Sequence, residues 1–480
     1  MRPLALCSRS AARAAINAAF VIATLSCKNR PASVESTEPR ARTDGEAPKS
    51  QEAPTYWNRV AAVLQGHCTS CHADGGIGPM PLVSYEDAKT HADEIAYQTR
   101  TRHMPPWLPD TTACSQLRHS RALPPADVQA LQRWAELGAP EGRRDEYRPP
   151  SVRKTYGSLP EGPDRVAIPE DGYAPKRGRA DDYHCFILDP KLERPERVVG
   201  LRIAPGLPSL VHHVLLFEVR ASAIARIREL DEREPGPGYT CFGGIGVAPT
   251  VRAGNLAKGE LVDFDAQMIV GWAPGAGATD VAGAPTALPE GTAIKLAPGS
   301  RLVMQVHYSL ENHARADVGK TDRTRVDMWL AKDEPLRQAV WVPLLKYDFR
   351  VPQNAGPDDP RATARAEVTL PFPLDVRGVA PHMHLRGQSI RIDALGSPND
   401  GETKEPASCL LDVPRWDFHH QEGYWLEKAV RVGKAAVTCR WDNRSSSQPV
   451  ANGKRKASHE LRWGEGTDDE MCLAFLYATL

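Results

Sequence analysis

The sequence lacks a charge excess of either sign: 60 Lys and Arg stand against 60 Asp and Glu over 480 residues. That balance excludes the basic face of a nucleic-acid binder and an acidic tail. It lacks an apolar run long enough to cross a membrane. Residues 14–26 come nearest, but they are too few to span and Asn17 interrupts them. Helical periodicity is also scarce. Beyond residue 182 the only helix-period stretch is 221–230. Pro (42), Gly (37) and Trp (10) are plentiful, which suits a turn-rich β protein. At ~150 residues per domain, the length predicts about three domains.

Arg2, Arg9 and Arg13 precede the short apolar run, and small residues close it. This is the plan of a signal peptide over 1–27. Leu25-Ser26-Cys27 loosely resembles a bacterial lipobox, with Thr24 where Leu is usual. Lipid attachment at Cys27 and simple cleavage nearby remain the two readings. Residues 28–54 are polar and linker-like. The expected location is the periplasm, or the outer membrane through a lipid anchor. In such a compartment distant cysteines pair rather than stay free.

Cys68-Thr69-Ser70-Cys71-His72 follows a short helical pattern over 56–64. Cys-x-x-Cys-His is the attachment motif of c-type haem: two thioethers hold the macrocycle and the adjacent His binds iron. A thioredoxin-like dithiol would need a βαβ surround, and a zinc site a second Cys pair; neither pattern is present. Met104, in the loop Arg102-His103-Met104-Pro105-Pro106-Trp107, is the expected distal ligand, with Met80 and His103 as rivals. A thioether there raises the reduction potential, which suits electron transfer. Helices are predicted over 85–100, opened by a capping box of Ser84 and Asp87, and over 125–137. Residues 55–146 thus resemble a small all-α cytochrome c domain.

A linker is expected over 147–180. From 182 short apolar runs alternate with Pro/Gly turns, at 183–188, 197–203, 212–219, 301–308 and 325–330. They resume at 339–345, 366–370, 376–382, 389–394, 424–430, 435–441 and 471–477. This predicts two antiparallel β-sandwich domains, 181–332 and 333–480.

Within them four motifs stand in order: His212-His213, Gln305-Val306-His307-Tyr308, His382-Met383-His384 and Asp469-Glu470-Met471-Cys472. In a strand His382 and His384 share one face, so both can grip one ion while Met383 points away. Neighbouring His212 and His213 point to opposite faces, so a shared metal needs a bulge there. Imidazole suits copper in both oxidation states, and one Met sulfur favours Cu(I).

Together the motifs resemble those of the copper type II, ascorbate-dependent monooxygenases, the family of peptidylglycine α-hydroxylating and dopamine β-monooxygenases, over residues 180–480. The resemblance implies two jelly-roll sandwiches across a wet cleft and two copper ions. His212, His213 and His307 would hold the electron-storing copper. His382, His384 and Met471 would hold the copper that meets dioxygen and substrate. It further implies disulfides Cys439–Cys472 and Cys185–Cys241; Cys114 and Cys409 are left open. Two departures are visible. Ala380 stands where the peptide-amidating member has the Arg that grips a substrate carboxylate, and Leu473 and Phe475 replace its Asn and Tyr. The segment Arg415-Trp416-Asp417-Phe418-His419-His420-Gln421 has no counterpart in the animal enzymes; aromatic packing with an exposed His is favoured over metal binding by His419 or His420.

The expected function is hydroxylation of a C–H bond in a small molecule by dioxygen, with two coppers and one covalent haem fed by a periplasmic donor. The alternative is a haem and copper electron-transfer or copper-binding protein that hydroxylates nothing.

Overall fold

A computed structural model describes residues 52–480. It leaves out 75–77, 111, 113, 119, 151–158, 177–180, 242–243, 248–250, 254–261, 274–285, 311–316, 318, 333–335, 397–407, 419, 452–453, 465, 467 and 480. The signal-peptide and Cys27 readings, and His419, lie outside the described residues.

Two sheets dominate. The smaller is antiparallel, in the order Tyr239–Thr240, Asp181–Leu188, Arg301–Ser309, Val211–Val219, Ala266–Trp272. Its central strand, Arg301–Ser309, is buried along nearly its whole length because both faces are covered. Leu302, Met304, Val306 and Tyr308 join the larger core on one face. Val303, on the other face, packs in a small cluster with Ile227 and Tyr239. His307 shares the Val303 face by the two-residue period.

The larger sheet has eleven strands. It runs through Arg325–Leu330, Glu196–Ala204, Thr292–Leu296 and Arg337–Leu345 to Leu473–Thr479, Thr363–His382, Tyr424–Trp441, Gly387–Leu395 and Ser408–Val413. Thr292–Leu296 pairs with Arg337–Leu345 in parallel. One apolar core lies around Leu201, Val214, Met304 and Met328, and a second around Val376, Leu411, Val437 and Trp441. Leu473–Thr479 serves both: Tyr477 packs in the first core and Leu476 in the second.

This architecture corrects the expected fold class in two respects. The β part is not a pair of separate antiparallel sandwiches, because one mixed sheet runs through both halves by way of the parallel pair. Nor is there a free-standing all-α cytochrome c-like domain over 55–146. The described helices there are short: Ala61–His67, Tyr85–Thr90, Ala92–Arg100 and Pro125–Glu136. They do enclose a small core around Tyr56, Leu64, Leu131 and Trp134. The chain between the third and fourth helices leaves that core, however, and commits its backbone to the β sheet. Asp110 N–H donates to the Asp412 carbonyl at 2.8 Å, Ser115 N–H to Cys409 at 2.9 Å and Arg118 N–H to Trp425 at 2.8 Å. Glu427 N–H donates back to the Gln116 carbonyl at 2.8 Å. Helical residues and sheet therefore belong to one compact unit, Ala53–Leu480.

Local signals fared better where they were local. Ser84 and Asp87 form the capping box, each side chain accepting from the other's backbone N–H at 3.1 Å. The predicted 85–100 helix is two helices, broken at His91.

Three disulfides are present: Cys185–Cys241, Cys439–Cys472 and Cys114–Cys409. The last, unassigned from sequence, ties residues 295 positions apart and fastens the interhelical strap to the sheet. Three such pairs mark an oxidising compartment. Among the described residues no helix is long and apolar enough to cross a membrane.

Candidate metal centres

The first histidine group is made by two neighbouring strands. His307 lies opposite His213 in the antiparallel register, yet the next residue, Tyr308, lies opposite Val211. His212 is the extra residue of that bulge, and the bulge turns two adjacent imidazoles toward one side. His212 Nδ1 lies 3.3 Å from His213 Nδ1, which lies 3.2 Å from His307 Nδ1. Each of the three residues has a ligand atom within 4.8 Å of the other two.

Burial, then the neighbouring imidazoles His307, His212, His382 and His384, push the His213 pKa well below its ordinary value. Three imidazole nitrogens brought this close by the bulge are spaced to share one ion. Two nitrogens bound tetrahedrally at ~2.0 Å to one ion stand about 3.3 Å apart. The donor set therefore fits a metal. His307 is oriented from behind: Asp181 Oδ1 lies 2.8 Å from its Nε2, and the Tyr183 ring stacks on it at 4.1 Å. That carboxylate–imidazole contact fixes the tautomer and leaves Nδ1 for the ion.

The second group lies where the Thr363–His382 strand ends. Met383 is fully buried in the second core, so its neighbours face the other way. His382 Nδ1–H donates to Gln421 Oε1 at 2.6 Å, and His384 Nδ1 lies 3.2 Å from the Asp469 carbonyl oxygen. Both Nε2 atoms remain as donors to a metal. Burial lowers the His382 pKa to about 4 and that of His384 to about 3, so both rings are neutral at pH 7. Met471 is buried beside Cys472, whose disulfide to Cys439 pins that stretch. Glu470 ties the same stretch to the His-x-His turn. It accepts His384 N–H at 3.0 Å, Arg386 N–H at 2.6 Å and Trp441 Nε1–H at 2.9 Å.

Both groups open into one cavity of about 340 Å³, lined by His212, His213, His382, His384 and Met471. Phe418 stands between them. Its ring stacks on His212 at 5.4 Å and 24° and meets His384 edge-on at 5.8 Å and 77°. Gln421, which fixes His382, has its own amide fixed by donating to the Phe418 carbonyl at 2.8 Å. Sequence reading had singled out this segment for its histidines. His420 instead pairs with Asp417 at 2.7 Å, and the segment reaches the site through Phe418 and Gln421. An aromatic and an amide carry no ligand signal, so neither was legible beforehand.

At the Cys-x-x-Cys-His motif both thiols are free, and burial followed by Cys71 pushes the Cys68 thiol up to about 12. His72 is buried, and its Nδ1–H donates to the Met80 carbonyl at 2.9 Å. This orients the ring and leaves Nε2 for iron, so the residues fit a covalent haem. A Cβ on Gly78 would stand 2.6 Å from His72 Nδ1, so only glycine allows that approach. Met104 lies half-buried just past the Ala92–Arg100 helix, with its N–H on the Gln98 carbonyl at 3.1 Å.

The strap carries Trp107, Arg118 and Arg121 into the wall of the same cavity. Arg121 pairs with Glu422 at 2.8 Å. Burial opposes the Arg121 charge, but Glu422, then Cys71 and Tyr424, outweigh it and hold its pKa above the ordinary value.

No family model matches the chain, and no curated protein matches it. Among solved structures it is aligned with an allantoicase at 11% identity and a TM-score of 0.17, covering 62% of this chain and 83% of that one. A fucolectin from striped bass (Morone saxatilis) serum gives 9% and 0.15, covering 63% and 84%. The VP2 subviral particle of infectious bursal disease virus gives 8% and 0.18, covering 68% and 74%. Scores this low carry no argument about fold or function, so the reading rests on the residues themselves.

Proposed function

We propose that this chain is an exported copper monooxygenase that hydroxylates a C–H bond of a small molecule, with electrons delivered through a c-type haem on its own helical segment. The observation that supports it most is the convergence of two histidine groups, the second with a methionine, on one cavity. A copper carrier needs ligands but no cavity between them.

His212, His213 and His307 would hold one copper, and His382, His384 and Met471 the other. Bound copper supplies dioxygen activation and electron storage, and haem on Cys68, Cys71 and His72 supplies electron entry. The chain's own residues do the rest. Asp181, Gln421 and the Asp469 carbonyl hold His307, His382 and His384, respectively, in one tautomer. Phe418 stands between the two groups, and the aromatic residues of the wall would hold the substrate. The strap that follows the helices lines the same cavity through Trp107, Arg118 and Arg121, which supports electron entry from that side. Met104 is assigned to the distal face of the haem. A periplasmic protein is the proposed donor, and the proposed location is the periplasm, with or without a lipid anchor on Cys27.

The deciding experiment is aerobic incubation of the mature protein with reductant and candidate apolar substrates, with mass spectrometry for a product heavier by one oxygen. Consumption of reductant and dioxygen with no such product across the series would favour the electron-transfer alternative.

Metal analysis is expected to give two coppers per chain. His307→Ala should retain about one, and so should His384→Ala, each through the surviving group. A folded variant that loses both ions would mean a single shared centre. For the haem, a denaturing gel stained for covalent haem should show the wild-type band and little or none for Cys68→Ala. The near-infrared Met–Fe(III) band should vanish in Met104→Ala; its loss in Met80→Ala instead would transfer the assignment.

A further inference from the structure

We infer that the cavity takes an uncharged, aromatic-sized molecule bearing one hydrogen-bond acceptor, and that Trp107 on the strap is the donor to that acceptor. The inference deepens the monooxygenase reading and rests on it only in calling the occupant a substrate.

Size comes first. About 340 Å³ lies at the small end of ligand pockets, room for one ring system with a short side chain. The wall is largely aromatic, with Phe418, Tyr424, Trp425 and Phe475 among the lining residues. Its charged groups are engaged. Arg121 pairs with Glu422, Arg202 with the buried Asp327, and Arg118 donates to the Glu427 carbonyl at 3.2 Å. Ala380 lines the cavity and offers no charge. A carboxylate would have to draw an arginine from the partner it already holds, and an ammonium would meet arginines with no free carboxylate among the described lining residues.

Among the neutral buried groups of the lining, one is not engaged. Trp107 lines the cavity, and its indole Nε1–H is buried with no partner among the described residues. Its ring is held edge-on to Tyr424 at 5.5 Å and 89°, so the donor cannot swing to water without breaking that packing. A buried unsatisfied N–H is an expense that an occupant's oxygen removes, which favours a ligand with an acceptor over its plain hydrocarbon analogue. Trp107 belongs to no copper ligand set. It reaches the cavity only because the strap leaves the helices for the sheet.

The test uses the full mature chain, with and without copper(I), and four probes of similar size: acetophenone, ethylbenzene, benzoate and phenethylammonium. Acetophenone should bind at least tenfold more tightly than benzoate or phenethylammonium, and several-fold more tightly than ethylbenzene. In Trp107→Phe its advantage over ethylbenzene should disappear while ethylbenzene binding persists, which also shows that the variant is folded. In unmutated protein carrying ¹⁵N-labelled Trp, one indole N–H resonance of the ten should move with acetophenone and stay with ethylbenzene. That measurement stands if the variant does not fold. Tighter binding of either ion, an unchanged acetophenone preference in Trp107→Phe, no indole resonance that distinguishes the two neutral probes, or no binding of any probe would overturn the inference. Acetophenone binding to protein that takes up no copper would leave the cavity assignment standing while the monooxygenase reading fell.

Discussion

Met471→Ile is expected to fold, keep its haem and bind nearly normal Cu(II), yet lose oxygen-dependent turnover by at least ~100-fold, about 2.7 kcal/mol in barrier. Three separable arguments lead there. Folding should survive because the stretch is fixed by other groups: Cys472 is bonded to Cys439, and Glu470 accepts from His384, Arg386 and Trp441. Isoleucine has roughly the bulk of methionine, so repacking of this buried position should cost under ~1.5 kcal/mol. Cu(II) binding should survive because His382 and His384 are neutral at pH 7 and held in one tautomer by Gln421 and the Asp469 carbonyl. Turnover should fall because the Met471 thioether is the soft ligand assigned beside His382 and His384, and Cu(I) loses most without it. The measurement is turnover of whichever substrate the oxygen-incorporation screen identifies, beside copper content and Cu(II) spectra of the same samples. Wild-type turnover in Met471→Ile would make Met471 a packing residue and remove the proposed oxygen-binding site.

The contrast between this site and the fold shows which kinds of information a sequence displays. His212, His213, His307, His382, His384 and Met471 could be nominated because metal ligands come from a short menu of side chains at recognisable spacings. Even the bulge at His212 followed from requiring two adjacent imidazoles to face one way. The strap was invisible for the opposite reason. Its hold on the sheet consists mainly of backbone hydrogen bonds at Asp110, Ser115, Gln116 and Arg118. Backbone groups are the same in every residue, and the stretch has no alternation to mark it as paired. Reading its flanking helices as a separate domain followed from treating local periodicity as evidence of independence. Independence is decided by where the intervening chain goes. The unity of the large sheet was hidden likewise, because the parallel pairing of Thr292–Leu296 with Arg337–Leu345 joins strands whose patterns suit either sandwich edge. Phe418, Gln421 and Trp107 were missed because they act by stacking, orientation and a single N–H, which have no sequence grammar.

The strap also sets the second large effect. Replacing both Cys114 and Cys409 by serine is expected to destabilise the chain by about 2–5 kcal/mol and to uncouple the helices that flank the Cys-x-x-Cys-His motif from the sheet. The disulfide closes a loop of 295 residues, so its chain-entropy contribution lies at the upper end of the scale, although Cys185–Cys241 inside that loop shortens it in effect. What remains after its removal is four backbone hydrogen bonds at about 1 kcal/mol each, the Ser115 and Arg118 side-chain bonds to the Cys409 and Glu427 carbonyls, the Arg121–Glu422 pair, and the packing of Trp107, Leu108 and Leu117 on the second core. Those contacts must then hold the strap against the freedom regained by residues 105–121, each ordered residue costing roughly 1–2 kcal/mol. In wild type, urea unfolding followed by haem absorbance and by Trp fluorescence should give coincident transitions. In the double variant the haem signal should move first, and acetophenone affinity should fall with it, because Trp107 leaves the cavity wall when the strap lifts. Coincident transitions with a stability loss under ~0.5 kcal/mol would mean that the hydrogen bonds and ring packing suffice, and that the helices and the sheet fold as one unit without the covalent tie.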